Sequence, residues 1–132
     1  MSAPAPVPVP VPVSIPTLDT QEAFEELWFG RTVTPGTRFI VWFSAKWCRP
    51  CQNMDRTALV AAAATARMSF FYCDAAVNQY TSGYCKIKSF PTFIVFEAGS
   101  THADNKYIPG RIVDMTVDSR TELVCRFLTE SR

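Results

Sequence analysis

The chain has 132 residues, of which 48% are hydrophobic and 19% are charged, a composition typical of one globular domain and not of a disordered chain. Its net charge of +1 gives no reason to expect a nucleic acid or a membrane as partner, and no apolar run approaches the roughly 18 residues of a membrane span. Five cysteines, an odd number, argue against a secreted disulfide framework, and without a targeting segment we expect a cytoplasmic protein.

Alternating prolines set the first segment apart from the rest of the chain. Residues 1–12 contain Ala-Pro and Val-Pro repeats, and because proline fixes φ and lacks a backbone donor, we expect an extended polyproline-II arm. Such an arm is either a solvated tail or a segment that docks on a larger assembly through residues 1–16. The folded domain is predicted to span residues 13–132.

Strands and helices are predicted to alternate from residue 13 onward. An edge strand over residues 13–15 precedes a helix that Asp19 and Glu22 cap and that Gly30 ends. The apolar run at residues 39–43 predicts a buried strand, because it is rich in aromatic and β-branched residues. The elements predicted after it are a helix over about 48–67, a buried strand over 69–73 and a short helix over 78–86.

The C-terminal third is predicted to contain a hairpin and a last helix. A strand over 92–97 turns at 98–100 into an exposed loop over 101–105. An edge strand follows, over 106–108 and 111–114, interrupted at Pro109-Gly110. Ser119 and Glu122 form a second capping pattern, and the helix after it is predicted to bury Leu123, Val124, Phe127 and Leu128.

Two cysteines stand where the buried strand gives way to a helix. Cys48 is predicted at the helix N-terminus, where free backbone N–H groups and the helix dipole favour a thiolate, which makes it the nucleophile. Pro50 suits a first helical turn, and Cys51 is one turn further on, close enough to form a disulfide with Cys48. A zinc half-site completed by Cys73 or Cys85 is the alternative interpretation of the pair.

Two separated motifs together are similar to the signatures of the thioredoxin family. They are Phe-Ser-Ala-Lys-Trp-Cys-Arg-Pro-Cys at residues 43–51 and Phe-Pro-Thr at residues 90–92. The resemblance implies an α/β thioredoxin fold, a central mixed β-sheet flanked by helices in the order β-α-β-α-β-α-β-β-α. It also implies a cis Pro91 that faces the disulfide, and a substrate groove formed by Trp47, Phe90, Pro91 and Gly110.

The activity that the resemblance implies is thiol–disulfide oxidoreduction. Cys48 and Cys51 would reduce protein disulfides and be recharged by a thioredoxin-reductase-type electron donor, with no cofactor and no metal. The common spacer is Gly-Pro, whereas this chain has Arg49-Pro50, and a guanidinium beside Cys48 should stabilise the thiolate and make the disulfide more oxidising. Arg49 and Lys46 would also favour acidic partner surfaces.

Trp42 departs from the family pattern. Six residues before the first cysteine, thioredoxins commonly carry a buried acid that helps to deprotonate the resolving cysteine, and an indole cannot accept that proton. The second hypothesis is therefore a thioredoxin-fold docking subunit with weak or no catalysis, as in the thioredoxin-like light chains of axonemal dyneins. Of the other cysteines, Cys73 and Cys125 are expected to be inert, and Cys85 resembles a regulatory cysteine of animal thioredoxins.

Overall fold

A computed structural model describes residues 14–104 and 106–131, so the predicted Pro/Val arm lies outside the described residues. Within these residues, five helices and six strands follow one another. In order they are α1 (Gln21–Trp28), β1 (Arg38–Ser44), α2 (Arg49–Gln52), α3 (Arg56–Thr65), β2 (Ser69–Asp74), α4 (Gln79–Tyr84), β3 (Thr92–Glu97), β4 (Ser100–Thr101), β5 (Tyr107–Ile108), β6 (Arg111–Val117) and α5 (Thr121–Glu130). None of the helices in the described part is long and apolar enough to cross a membrane.

The main sheet is mixed and has the strand order β2-β1-β3-β6. β1 lies parallel to β2 and antiparallel to β3, and β3 lies antiparallel to β6. β1 is buried from Phe39 onward on both faces, which explains why its sequence is a continuous apolar run and not an alternation. The predicted α/β class with a central mixed sheet is confirmed.

Two hydrophobic clusters cover the two faces of the sheet. One contains Trp42 together with Cys48 and Cys51, and residues of α3 and α5 pack in it. The other contains Phe24 and Leu27 of α1 with the opposite face of β1 and β3. The cysteine pair therefore belongs to the layer that α3 and α5 form over the sheet.

The N-terminal elements differ from the sequence prediction. Of the strand predicted over residues 13–15, the described residues Ser14 and Ile15 are not in a strand; Thr17 instead forms a single parallel bridge with Tyr72. The Pro16 carbonyl accepts a hydrogen bond from the Tyr72 N–H, and the Leu18 N–H donates to the Tyr72 carbonyl, but Pro16 has no N–H with which to extend the pairing. Thr20, and not Asp19, caps α1, by accepting from the Ala23 N–H.

The predicted long helix over residues 48–67 is two helices. α2 has only four residues, and α3 begins afresh after Asp55, whose carboxylate accepts a hydrogen bond from the Ala58 N–H at 3.1 Å. The backbone N–H of Asp55 donates to the Thr121 hydroxyl, so the break is also attached to the start of α5. This break separates the cysteine pair from the helix that supports it.

The C-terminal third also differs in its pairing. β5 pairs with β4 in a separate two-stranded sheet, so it does not continue into the edge strand β6 as predicted. β6 runs to Val117, with a bulge in its pairing opposite Val95 and Phe96. Arg120 is the N-cap of α5 without a side-chain hydrogen bond, so the predicted Ser119 cap is wrong, and of the four residues predicted to be buried only Val124 and Leu128 are fully so.

Candidate active site

Cys48 and Cys51 form a disulfide at the end of the loop that follows β1. Their Cα atoms are 5.3 Å apart, and the Cys51 N–H donates to Cys48 Sγ at 3.3 Å. The Cys48 N–H in turn donates to the Ala45 carbonyl at 3.0 Å, which closes the turn before α2. The predicted proximity of the two cysteines is confirmed.

The short α2 weakens the predicted basis for a thiolate at Cys48. A four-residue helix lacks the macrodipole that a helix over residues 48–67 would have, and the hydrogen-bond donor that reaches Cys48 Sγ is the Cys51 N–H. Cys51 is fully buried and Cys48 is 5% exposed, so Cys48 is the more accessible residue of the pair. Arg49 and Lys46 are exposed nearby, and neither forms an ion pair within the described residues.

An apolar surface lies beside the disulfide. Trp47 is 73% exposed, and its ring meets the Phe90 ring edge-on at 5.6 Å. The Phe90-Pro91 peptide bond is cis, as the resemblance implied. A groove of about 320 Å³ follows, with walls formed by Pro50, Phe90, Pro91, Val117, Asp118, Ser119 and Arg120. The structure thus brings together Trp47, Phe90 and Pro91 with Cys48 and Pro50.

Gly110 is not part of this groove. It precedes Arg111, which pairs with Glu97 at the opposite end of β3 from Thr92, a separation of roughly 17 Å for five strand residues. A Cβ at Gly110 would lie 2.6 Å from the Glu97 carbonyl oxygen and 3.0 Å from the Trp28 carbonyl oxygen. Glycine is therefore required there for close packing between β3 and the end of α1. The prediction that Gly110 lines the substrate groove is wrong.

The loop after β6 forms part of the groove wall, and the sequence analysis did not predict this. Asp118 accepts two hydrogen bonds from the Arg120 guanidinium, at 3.1 and 3.0 Å. These bonds hold the pKa of Asp118 below its usual range. The signal available in the sequence was the short Asp-Ser-Arg stretch that follows a strand on the C-terminal side of Pro91.

Trp42 lies fully buried at the position of the family's acid. Its indole stacks on Phe93 with the ring centroids 5.5 Å apart and meets Tyr72 edge-on at 5.1 Å. Its Nε1 has no hydrogen-bond partner among the described residues. The Arg56 guanidinium lies 5.0 Å from the Trp42 ring centroid and 5.2 Å from that of Tyr72, a cation–π contact that sequence reasoning did not anticipate.

The other three cysteines are free thiols. Burial raises the pKa of Cys73 to about 11, against a weaker opposing hydrogen bond with Ser82. Burial, together with the neighbouring Cys73, raises the pKa of Cys85 to about 12. Burial also raises the pKa of Cys125, whose Sγ donates to the Ala58 carbonyl. Cys85 packs against the cluster on the face of the sheet opposite Cys48, which gives no support to a role at the active face.

These raised pKa values predict a sharp contrast in reactivity within the reduced protein. Because burial raises the pKa of Cys73 and of Cys85 well above 8, few molecules carry either thiolate at pH 8, so iodoacetamide should modify Cys48 long before either. Raising the pH should speed modification of Cys73 until the pH reaches its pKa. Peptide mass spectrometry over time measures each rate, with guanidinium-unfolded protein as the control in which all five cysteines react. Equal rates for Cys48 and Cys73 in folded protein would contradict the prediction.

Comparison with known proteins agrees with this geometry. The model of the Thioredoxin family matches residues 19–115, well over half of the chain. A search of curated protein sequences gave no match. Among solved structures, Fasciola hepatica thioredoxin aligns with a TM-score of 0.65 and 20% identity over 89% of this chain and 100% of its own. Trichomonas vaginalis thioredoxin aligns with a TM-score of 0.64 and 20% identity over 89% and 97% of the two chains. With its cysteine pair in place, the chain belongs to the thioredoxin family.

Proposed function

We propose that the protein is a thiol–disulfide oxidoreductase that reduces protein disulfides. The observation that carries this proposal is the Cys48–Cys51 disulfide, placed beside an exposed Trp47 and a cis Pro91 in a thioredoxin-family chain. The groove along Phe90 and Pro91 is open enough to accept an extended segment of a substrate protein.

The reaction takes two exchange steps. The Cys48 thiolate attacks one sulfur of the substrate disulfide, forms a mixed disulfide and releases the first substrate thiolate. The Cys51 thiolate then attacks Cys48 Sγ, releases the second substrate thiolate and leaves the Cys48–Cys51 disulfide. Two electrons pass to the substrate, and the protons lost by the two cysteines balance those taken up by the two substrate thiols.

A second dithiol must return two electrons to the Cys48–Cys51 disulfide after each turnover. We assign this step to a thioredoxin-reductase-type donor, and we place the protein in the cytoplasm. Three free thiols on a folded domain support a reducing compartment, since such thiols persist where disulfides are rare.

Reduction of insulin disulfides, with dithiothreitol as electron donor, tests this function. Wild-type protein should accelerate insulin precipitation over dithiothreitol alone, and Cys48→Ser should abolish the acceleration because it removes the attacking sulfur. Cys125→Ser is the matched control, because this half-buried thiol lies on α5 and takes no part in either exchange step. A wild-type rate equal to that of Cys48→Ser would refute the function as a reductase.

A docking subunit with weak catalysis is the second candidate. Trp42 favours it, because a fully buried indole at the position of the family's acid cannot accept the proton of Cys51. The arm that would do the docking lies outside the described residues. A slow wild-type rate combined with stable co-purification of another chain, lost on removal of residues 1–12, would favour this candidate.

A further inference from the structure

A chain of polar contacts connects Trp42 to the nucleophile. The Arg56 guanidinium lies over the rings of Trp42 and Tyr72, and its Nη2 donates to Gln52 Oε1 at 3.5 Å. Gln52 Nε2 donates to the Ala45 carbonyl at 3.0 Å. The same Ala45 carbonyl accepts the Cys48 N–H at 3.0 Å.

The two hydrogen-bond partners of Gln52 leave only one orientation for its side-chain amide. A guanidinium only donates hydrogen bonds and a carbonyl only accepts them, so the amide oxygen must face Arg56 and the amide nitrogen must face Ala45. Arg56 is in turn held by two aromatic rings that are themselves packed against the sheet. The chain therefore starts from a fixed point in the core and ends at the turn that carries Cys48.

We propose that Gln52 and Arg56 are positioning residues for Cys48, which fix the Ala45 turn and bring positive charge toward the sulfur that attacks the substrate. This inference rests on the proposed function, since it concerns the nucleophile of that reaction. It also gives Trp42 a role in the active site besides packing in the core. The indole that replaces the family's acid is the surface against which the Arg56 guanidinium lies.

The direction of the effect follows from the charge. The Gln52 amide, polarised by Arg56, offsets the negative end of the Ala45 carbonyl dipole, so the chain lowers the cost of a thiolate at Cys48. Other charged residues lie on the neighbouring elements: Lys46 on the active-site loop, Arg49 on α2, the Asp118–Arg120 pair on the loop after β6, and Asp74 at the end of β2. The effect of Gln52 and Arg56 on the Cys48 thiolate must therefore be measured by comparing variants with the wild type, in which these other charges are unchanged.

The variants are Gln52→Ala, Arg56→Met and the double variant. Methionine keeps an unbranched apolar side chain on the rings but removes the charge and the donors. The readouts are the pH dependence of Cys48 alkylation in reduced protein and the equilibrium of the Cys48–Cys51 disulfide with glutathione. Arg126→Met is the control, because it removes an exposed cation from α5.

Both single variants should slow Cys48 alkylation about twofold to fivefold below its pKa, as expected for a rise of less than one pKa unit. The glutathione equilibrium should move by a similar factor toward the Cys48–Cys51 disulfide, because the reduced state loses thiolate stabilisation. The double variant should add little to either single one, since both break the same chain. Arg56→Lys should recover most of the effect, because a cation remains over the rings.

Unchanged alkylation and an unchanged equilibrium in both single variants, as in Arg126→Met, would overturn the inference even if thermal stability fell. If Arg56→Met does not fold, Gln52→Ala alone decides it, because Arg56→Lys is expected to behave like the wild type. Both readouts are taken without a substrate protein, so their failure can be told apart from failure of the proposed function. Wild-type protein that reduces insulin but shows no change in these variants refutes only the positioning role.

Discussion

A Cys51→Ser variant is expected to accumulate a covalent adduct with its substrate, joined through Cys48. Cys51 is fully buried against Cys48 and its N–H donates to that sulfur, so it is placed to resolve the mixed disulfide from inside the protein. Serine cannot attack a disulfide, so turnover should fall by on the order of 10³-fold while the first exchange step continues. Intact mass spectrometry under non-reducing conditions, after mixing the reduced variant with a disulfide-bonded substrate protein, measures the adduct.

Two controls separate trapping from nonspecific oxidation. The adduct should disappear when dithiothreitol is added, and it should not form in the Cys48→Ser, Cys51→Ser double variant. Cys73→Ser alone should turn over like the wild type, because Cys73 packs in the cluster on the other face of the sheet. An adduct attached through Cys73 or Cys85, or rapid turnover without Cys51, would rule out the assigned order of attack.

Replacing Trp42 by alanine is expected to destabilise the protein by about 3–5 kcal/mol, the range found when a large buried aromatic side chain is removed. The lost stability has three sources: the buried apolar surface of the indole, its stacking on Phe93 and its cation–π contact with Arg56. Urea unfolding followed by circular dichroism, analysed by linear extrapolation, gives the change in the free energy of unfolding.

Trp47→Ala is the matched control, since it removes the same side chain from a position that is 73% exposed. Its unfolding free energy should stay within about 0.5 kcal/mol of the wild type, whereas its KM for a protein substrate should rise, because the surface beside Cys48 is lost. Equal destabilisation by the two alanine variants would show that Trp42 does not support the core in the way its burial indicates.

Local patterns were enough to predict the central strand and the cysteine pair. The apolar run of β1 is buried on both faces, and no competing arrangement suits it. The cysteine spacing fixes the proximity of Cys48 and Cys51, and the second motif placed a cis Pro91 beside them. These features depend on residues close in sequence or on the resemblance of two motifs to one family.

What the sequence could not show depends on contacts between distant residues or on choices between equivalent ones. Asp19 and Thr20 are both good caps, and the structure shows that Thr20 is the one used. Gly110 was misplaced because the pairing between β3 and β6 depends on the length of the β4–β5 hairpin. The partner of Arg56 could not be read from its neighbours in the chain, because Trp42 lies on another element.

The bulge opposite Val95 and Phe96 has a consequence for the behaviour of the protein at high concentration. Ile112, Met115 and Val117 of β6 are each about half exposed, so this sheet edge could seed the growth of ordered aggregates. The bulge distorts the row of backbone donors and acceptors on β6, and Arg111 and Asp114 place opposite charges along it. A strand from a second molecule thus meets an irregular, charged edge, and we expect such an edge to disfavour strand pairing between molecules.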